Sequence, residues 1–215
     1  MKIRAFVHVT GILLSVQWGG FAQELKPVPL PMPAMQGGMP LMQALKERKT
    51  TRQFTAEKLS LQTLSDLLWA ANGINRPAEK KRTAPSAMNR QEIDVYVALE
   101  DGLFLYDAFA NQLQPVLAGD IREATGRQDF VKTVPVNLIF VAKVSTDSTV
   151  SESDRIFYPA TDTGFISQNV YLFCASAGLG TVVRGMVDRP ILEKKMGLRP
   201  DQRIILSQSV GYPAP

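Results

Sequence analysis

The chain has 215 residues and a formal net charge of +4. Residues 1–22 hold two of its Lys/Arg and none of its acids, so 22 basic face 20 acidic side chains from Gln23 onward, a net of +2. That near-balance excludes a nucleic acid or an anionic membrane recruited by charge, and the lone cysteine excludes an intrachain disulfide or a paired-cysteine zinc site.

The N-terminus carries Lys2 and Arg4, then a mostly apolar run from Ala5 to Trp18, then small residues at Gly20 and Ala22. This is the layout of a secretory signal peptide, cut after Ala22. The run is short for a membrane span, which needs about 20 residues, and no cysteine near the cut offers a lipid attachment point. The mature chain is expected in the bacterial periplasm, with no membrane anchor after cleavage. The single histidine, His8, leaves with the signal. A histidine-free mature chain has no His-dependent triad and no His-metal site. No metal is expected. Chemistry must run on carboxylates, hydroxyls, Lys, Arg or Tyr, or on a bound cofactor.

In Lys26 to Pro40 the prolines at 27, 29, 31 and 33 alternate with other residues. They predict an extended, polyproline-like tether over residues 23–40, with the folded domain at 41–215. Leu41, Met42 and Leu45 have helical spacing. They lead into Glu47-Arg48-Lys49-Thr50-Thr51-Arg52-Gln53-Phe54. If that stretch is extended, Arg48, Thr50 and Arg52 point one way. Two guanidiniums flanking a hydroxyl suit a phosphate; the same run also reads as a solvated basic turn.

Ser60 predicts an N-cap for a helix with Leu61, Leu64, Leu67, Leu68 and Ala71 on one side, stopped at Asn72-Gly73. The stretch Thr83 to Gln91 gathers small residues, hydroxyls and amides. It can admit a planar ligand to the backbone, or be an ordinary loop. Ile93 to Leu99 and Leu103 to Tyr106 flank the turn Glu100-Asp101-Gly102 and predict a hairpin. Asp120 predicts a short helix ending near Gly126. The continuous apolar run Pro135 to Val144 predicts a strand buried on both faces. Tyr158 to Ala177 is helical in pattern, with Cys174 as a buried small hydrophobe. Thr181 to Val187 reads as a strand interrupted by Arg184, which needs a partner, and Gly185, a point of close backbone approach. Asp188 caps a further helix with Pro190 in its first turn and Gly197 at its end. Ile204 to Val210 is the last strand. This order gives an α+β fold, a mixed sheet flanked by helices. No Rossmann G-x-G-x-x-G and no Walker A sequence is present.

Five pieces in this order resemble one family. ERKTTRQF resembles the R-[RK]-[ST]-x-R-x-F signature of nitroreductase-family flavoproteins. WAANGINRP followed by RTAPSAMNRQEIDVYV resembles the next helix and the loop feeding a strand. GLFLYD, TDTGFISQNVYLFCASAGLGTVVRG and SVGYP resemble the hairpin return, the long helix with its G-L-G turn, and the last strand. The R-T-x-P-S-A and Q-N features resemble the branch of thiazole- and oxazole-forming dehydrogenases. The resemblance implies a domain-sharing homodimer with FMN at its interface. It implies that Arg48, Thr50 and Arg52 hold the phosphate and ribityl chain, with Lys49 adjacent. Pro85, Ser86, Ala87, Met88 and Asn89 would meet the flavin from the partner subunit, with Gln91 nearby. Arg184 and Gly185 would lie along the reactive N5 edge of the ring.

The resemblance further implies an FMN-dependent oxidoreductase, NAD(P)H-linked, passing hydride through flavin N5 to a nitroaromatic, a quinone or another conjugated acceptor. No side chain need act as acid or base. The alternatives are an exported flavin-binding protein without turnover, and an azoline-type dehydrogenase that works without nicotinamide. Many relatives carry a Lys/Arg pair after the last strand, where this chain reads Pro213-Ala214-Pro215. Lys49 or another cation then replaces that pair, or FMN is held less tightly.

Overall fold

The computed structural model of the protein describes residues 25–215; the expected signal segment lies outside the described residues. In chain order the elements are β1 Val28–Pro29, α1 Leu41–Glu47, α2 Leu61–Asn72, β2 Ile74–Arg76, β3 Lys81–Arg82, β4 Ile93–Ala98, β5 Gly102–Asp107, β6 Gln112–Ala118, β7 Val136–Lys143, α3 Glu152–Ser176, β8 Gly180–Arg184, α4 Arg189–Met196 and β9 Gln202–Gly211. Seven strands form one sheet in the order β1-β6-β5-β4-β7-β9-β8, and β2 with β3 forms a separate ribbon. The expected α+β class is found. The expected mixture of strand directions is not: every pair is antiparallel. β7 enters between β4 and β9 and runs against both, so no parallel crossover is needed.

The sheet has a core on each face. Leu138 and Phe140 of β7 join Val95 and Val97 of β4 under α2 and α3, with Leu64, Leu67, Leu68, Ile166 and Val170. Ile139 and Val141 join Tyr96 and Ala98 on the other face, against Leu192 and Met196 of α4. This is the two-sided burial that the apolar run of β7 predicts. Each fully buried Leu, Ile or Phe contributes about 1.5–3 kcal/mol.

The local signals explain most boundaries. Ser60 caps α2 by accepting from the Thr63 amide at 3.0 Å. Gly73 ends α2 with an extended, not left-handed, backbone; a Cβ there would strike the Trp69 ring, so close approach is what requires glycine. Gly197 ends α4 in the left-handed region at φ +66. α3 starts six residues before the expected Tyr158. Ser151 caps it, accepting from the Asp154 amide, and Pro159 lies inside the helix, where it removes one intrahelical hydrogen bond. β6 was not expected, because Pro115 interrupts its pattern; it pairs with β5 along its length but with β1 over only two residues.

Two expectations change at the N-terminal side. The proline-rich stretch is extended, but it lies along the domain rather than apart from it. β1 pairs with β6, Leu30 is buried, and Asn111 and Ser65 donate to the Pro31 carbonyl. Packed structure therefore begins before Leu41, because prolines still leave carbonyls and alternate side chains free for contact. In α1, Leu41, Met42 and Leu45 face outward and Ala44 is the buried residue.

Candidate flavin site

The basic stretch leaves α1 at Arg48 and runs beside β8, the open edge of the sheet. An edge strand has outward N–H and C=O groups that need partners. The Thr51 amide donates to the Thr181 carbonyl at 3.0 Å, and further on Phe54 bridges to Pro213. Gly180 makes room for this, since a Cβ there would press on the Thr51 side chain. The second outward group of β8, the Val183 amide, donates to the Tyr171 hydroxyl on α3 at 3.1 Å.

Tyr171 gathers the site. Its hydroxyl lies 3.1 Å from Thr50 Oγ1, and the Arg48 guanidinium sits 5.3 Å from its ring centroid. In the arrangement that uses every hydrogen, Tyr171 accepts from Val183 and donates to Thr50. The Thr50 hydroxyl hydrogen is then free for an outside acceptor. Arg52 is exposed. Among the described residues, Arg48, Lys49 and Arg52 take part in no ion pair. Three cations in five residues thus stand without a counter-charge.

Arg184 is next to this site on β8, and its side chain turns inward, 4% exposed. Nη1 donates to the Thr125 carbonyl at 2.8 Å; Nη2 donates to Asn137 Oδ1 at 2.9 Å and Ser207 Oγ at 2.8 Å. Its Nε has no partner. No carboxylate pairs with it. Burial lowers its pKa to about 10, so it stays protonated at neutral pH. The guanidinium is therefore a hydrogen-bonded hub and a buried positive charge, and what this position offers a ligand is backbone and field. At Gly185 a Cβ would meet nothing nearer than Leu206 at 3.9 Å, so the backbone there is approachable.

The loop from Pro85 to Gln91 is held at a different level. Ser86 Oγ accepts from the Gln91 amide at 3.0 Å, and Arg82 donates to Gln91 Oε1 at 2.9 Å and to the Asn72 carbonyl at 2.8 Å. The Ala87 amide donates to both carboxylate oxygens of Asp162, at 3.1 and 3.0 Å. Met88, Asn89 and Gln91 all have left-handed backbones, φ +52, +53 and +50. Such conformations are costly away from glycine and concentrate where a ligand or a tight packing role holds them. Asp162 and Tyr171 are nine residues apart on α3. That is about 13 Å along the helix and about 180° around it, which puts them at the two borders of its buried stripe. One chain therefore carries the basic cradle and the Pro85–Gln91 loop on opposite sides of α3.

Tyr171, Asp162 and Glu92 were not singled out from the sequence. Asp162 is 1% exposed. Glu92 has both carboxyl oxygens buried with no donor in reach, and Asp162 stands beside it. Burial first, then the neighbouring Asp162, raises the Glu92 pKa, with its own backbone opposing. An acid in the apolar stripe of a helix, and a tyrosine four residues after Ser167 on that stripe, were the available signals. Cys174 is buried as expected, and burial pushes its thiol pKa up. Among the described residues no group of three His, Cys, Asp or Glu gathers to hold a metal, and no helix is long and apolar enough to cross a membrane.

Comparison with known proteins adds the family. The model of the nitroreductase family matches residues 45–212. A protein of Methanocaldococcus jannaschii assigned to the nitroreductases, MJ1384, is 29% identical over 155 residues, covering 67% of this chain and 78% of its own length. A crystal structure assigned to the nitroreductases, from Ralstonia eutropha JMP134, superposes with a TM-score of 0.84 at 42% identity, covering 96% of this chain and 97% of that one. A Desulfovibrio desulfuricans structure in complex with FMN shares the fold, with a TM-score of 0.59 at 21% identity over 82% of this chain and 88% of that one. By its sequence over most of its length, and by its fold, the chain belongs to the nitroreductase family.

Proposed function

We propose that the protein is an exported, homodimeric, FMN-dependent oxidoreductase. It takes electrons from NAD(P)H or another small donor and passes them to a nitroaromatic, a quinone or a similar conjugated acceptor. The observation that carries this reading is the cradle of Arg48, Thr50 and Tyr171 beside β8, in which Arg48 and the nearby Lys49 and Arg52 take part in no ion pair among the described residues. Its donor set fits a phosphate monoester dianion: guanidinium forks, an ammonium and a hydroxyl with a hydrogen to spare. When bound, FMN supplies the reversible hydride and electron chemistry that the protein's own side chains lack.

The protein's part is binding, orientation and field. Arg48 and Arg52 hold the phosphate, Thr50 donates to it, and Lys49 adds charge. The open backbone at Gly185 lets a flat ring lie against β8. The uncompensated charge of Arg184 beneath that strand favours negative charge above it. The loop from Pro85 to Gln91 stands across α3 from the cradle, which supports its serving the site of a second copy. Exposed Ile156, Phe157 and Phe165 on α3 and Met88 on the loop supply the apolar surface such a pairing needs. Export is supported by the layout of residues 1–22.

The test is FMN titration of the Arg48→Ala, Arg52→Ala double variant, read by quenching of flavin fluorescence. Losing two charge-assisted contacts is expected to weaken FMN by about a hundredfold or more. A folded double variant that binds FMN like the parent would remove the phosphate assignment.

A further inference from the structure

Four of the eight methionines lie within eleven residues, at Met32, Met35, Met39 and Met42. Methionine is ordinarily a core residue, apolar and adaptable. Here Met32 is 82% exposed, Met35 61% and Met42 76%. None of the four packs on either hydrophobic cluster, although Leu30 in the same strap does. Burial explains Leu30 and leaves the three exposed thioethers unexplained, while Met39 is half-buried beside Tyr171 and Cys174.

The backbone that carries them is fixed. The Met32 carbonyl accepts from Gln62 Nε2 at 2.9 Å, the Ala34 amide donates to Asp66 Oδ1 at 2.8 Å, and the Met39 amide donates to Ser176 Oγ at 2.6 Å. In a polyproline-like run, three residues make one turn, so Met32 and Met35 fall on one edge about 9 Å apart. Met39 and Met42 repeat the three-residue interval in sequence across the start of α1. Between the pairs, Gly37 and Gly38 turn the chain with left-handed φ of +93 and +83. Three rotatable bonds let each side chain swing its sulfur toward a common point.

The chemistry around them is one-sided. Residues 27–45 contain no charged side chain and no histidine. The nearest carboxylate to Met32 and Met35, Asp66, already accepts from the Ala34 amide and Gln62 Nε2, and Glu47 and Lys49, of opposite charge, line the cavity beside Met39. Cys174 is no rival ligand, since its thiol is sealed in the core and held protonated by burial. Thioether sulfur alone is a soft donor set, and it selects soft monovalent ions over Zn(II) or Mg(II).

We propose that Met32, Met35, Met39 and Met42 form a thioether site on the N-terminal strap for a soft monovalent cation, Cu(I) or Ag(I). The test uses the purified protein with Ag(I), and with Cu(I) added anaerobically as its acetonitrile complex against bicinchoninate. Stoichiometry is read by native mass spectrometry. The parent is expected to retain one ion per chain and to ignore Zn(II). In the Met32→Leu, Met35→Leu, Met39→Leu, Met42→Leu variant, which keeps apolar volume and removes sulfur, retention is expected to fall at least about tenfold. In the parent itself, Ag(I) is expected to shift the methyl resonances of these four methionines. Those of exposed Met88 and Met186, which stand alone in sequence, should stay in place. Cu(I) left wholly with the chelator, equal retention by the leucine variant, or a shift confined to Met88 or Met186 would each overturn the site.

Discussion

Tyr171 Oη stands 3.1 Å from Thr50 Oγ1 and 3.1 Å from the Val183 amide nitrogen, so a single phenol ties the basic stretch to the edge strand β8. Tyr171→Phe keeps the ring under Arg48 and removes both bonds. The Val183 N–H, on the outer side of an edge strand, is left without its partner. We expect a loss of about 1–3 kcal/mol in urea unfolding, together with weaker FMN binding. Unchanged stability would mean that water replaces the phenol and that Tyr171 does not organise the site.

Gly126 lies against Arg184. A Cβ at 126 would overlap the guanidinium, while the backbone there is extended and open to any residue. The need for glycine is therefore space for Arg184. We expect Gly126→Ala to destabilise the protein by about 1–3 kcal/mol by driving Arg184 from its acceptors on Thr125, Asn137 and Ser207. Because both changes break one network, Gly126→Ala and Arg184→Met should be clearly non-additive in a double-mutant cycle. Additive losses would separate the glycine from the arginine.

Glu92 gives stability a pH signature. Its ordinary value is near 4.5, and its pKa in the folded protein is raised, by burial first and then by Asp162, with its own backbone and Arg90 opposing. A raised pKa means that the folded state holds the proton more tightly. The resulting stabilisation is full below the unfolded value and is lost as pH rises through the folded one. We expect urea midpoints to fall across that window in the parent and to be flatter in Glu92→Gln. Asp162 and Arg90 face this group, and Lys143, Asp154 and Arg155 line the cavity beside it. They are shared by both proteins and cancel in the comparison. Parallel profiles would show that folding does not raise the Glu92 pKa.

Much of this was legible in the sequence because the signals were local. Ser60, Asp188 and Gly197 mark helix ends by backbone chemistry acting within a turn. The run of β7 records burial on both faces. The site stretches Arg48–Arg52 and Pro85–Gln91 stood out through residue type. Long-range contacts were not legible. The role of Tyr171 depends on β8 arriving beside α3, and that of Asp162 on a loop 75 residues earlier. Arg184 asked for a partner, but its acceptors come from three separate segments, and none is a carboxylate. Prolines at 115 and 159 hid a strand and a helix start, since both were tolerated where sequence pattern alone argues against them.

The most direct measurement is the visible absorbance spectrum of the purified protein before and after anaerobic addition of NADPH. We expect flavin bands, as isolated or after FMN is added back, that bleach with the donor and return when a quinone is supplied. A protein that takes up no FMN under any of these conditions would contradict the assignment of Arg48, Thr50 and Tyr171 as a flavin phosphate cradle. Bound flavin that neither NADPH nor another donor reduces would contradict its role as an oxidoreductase.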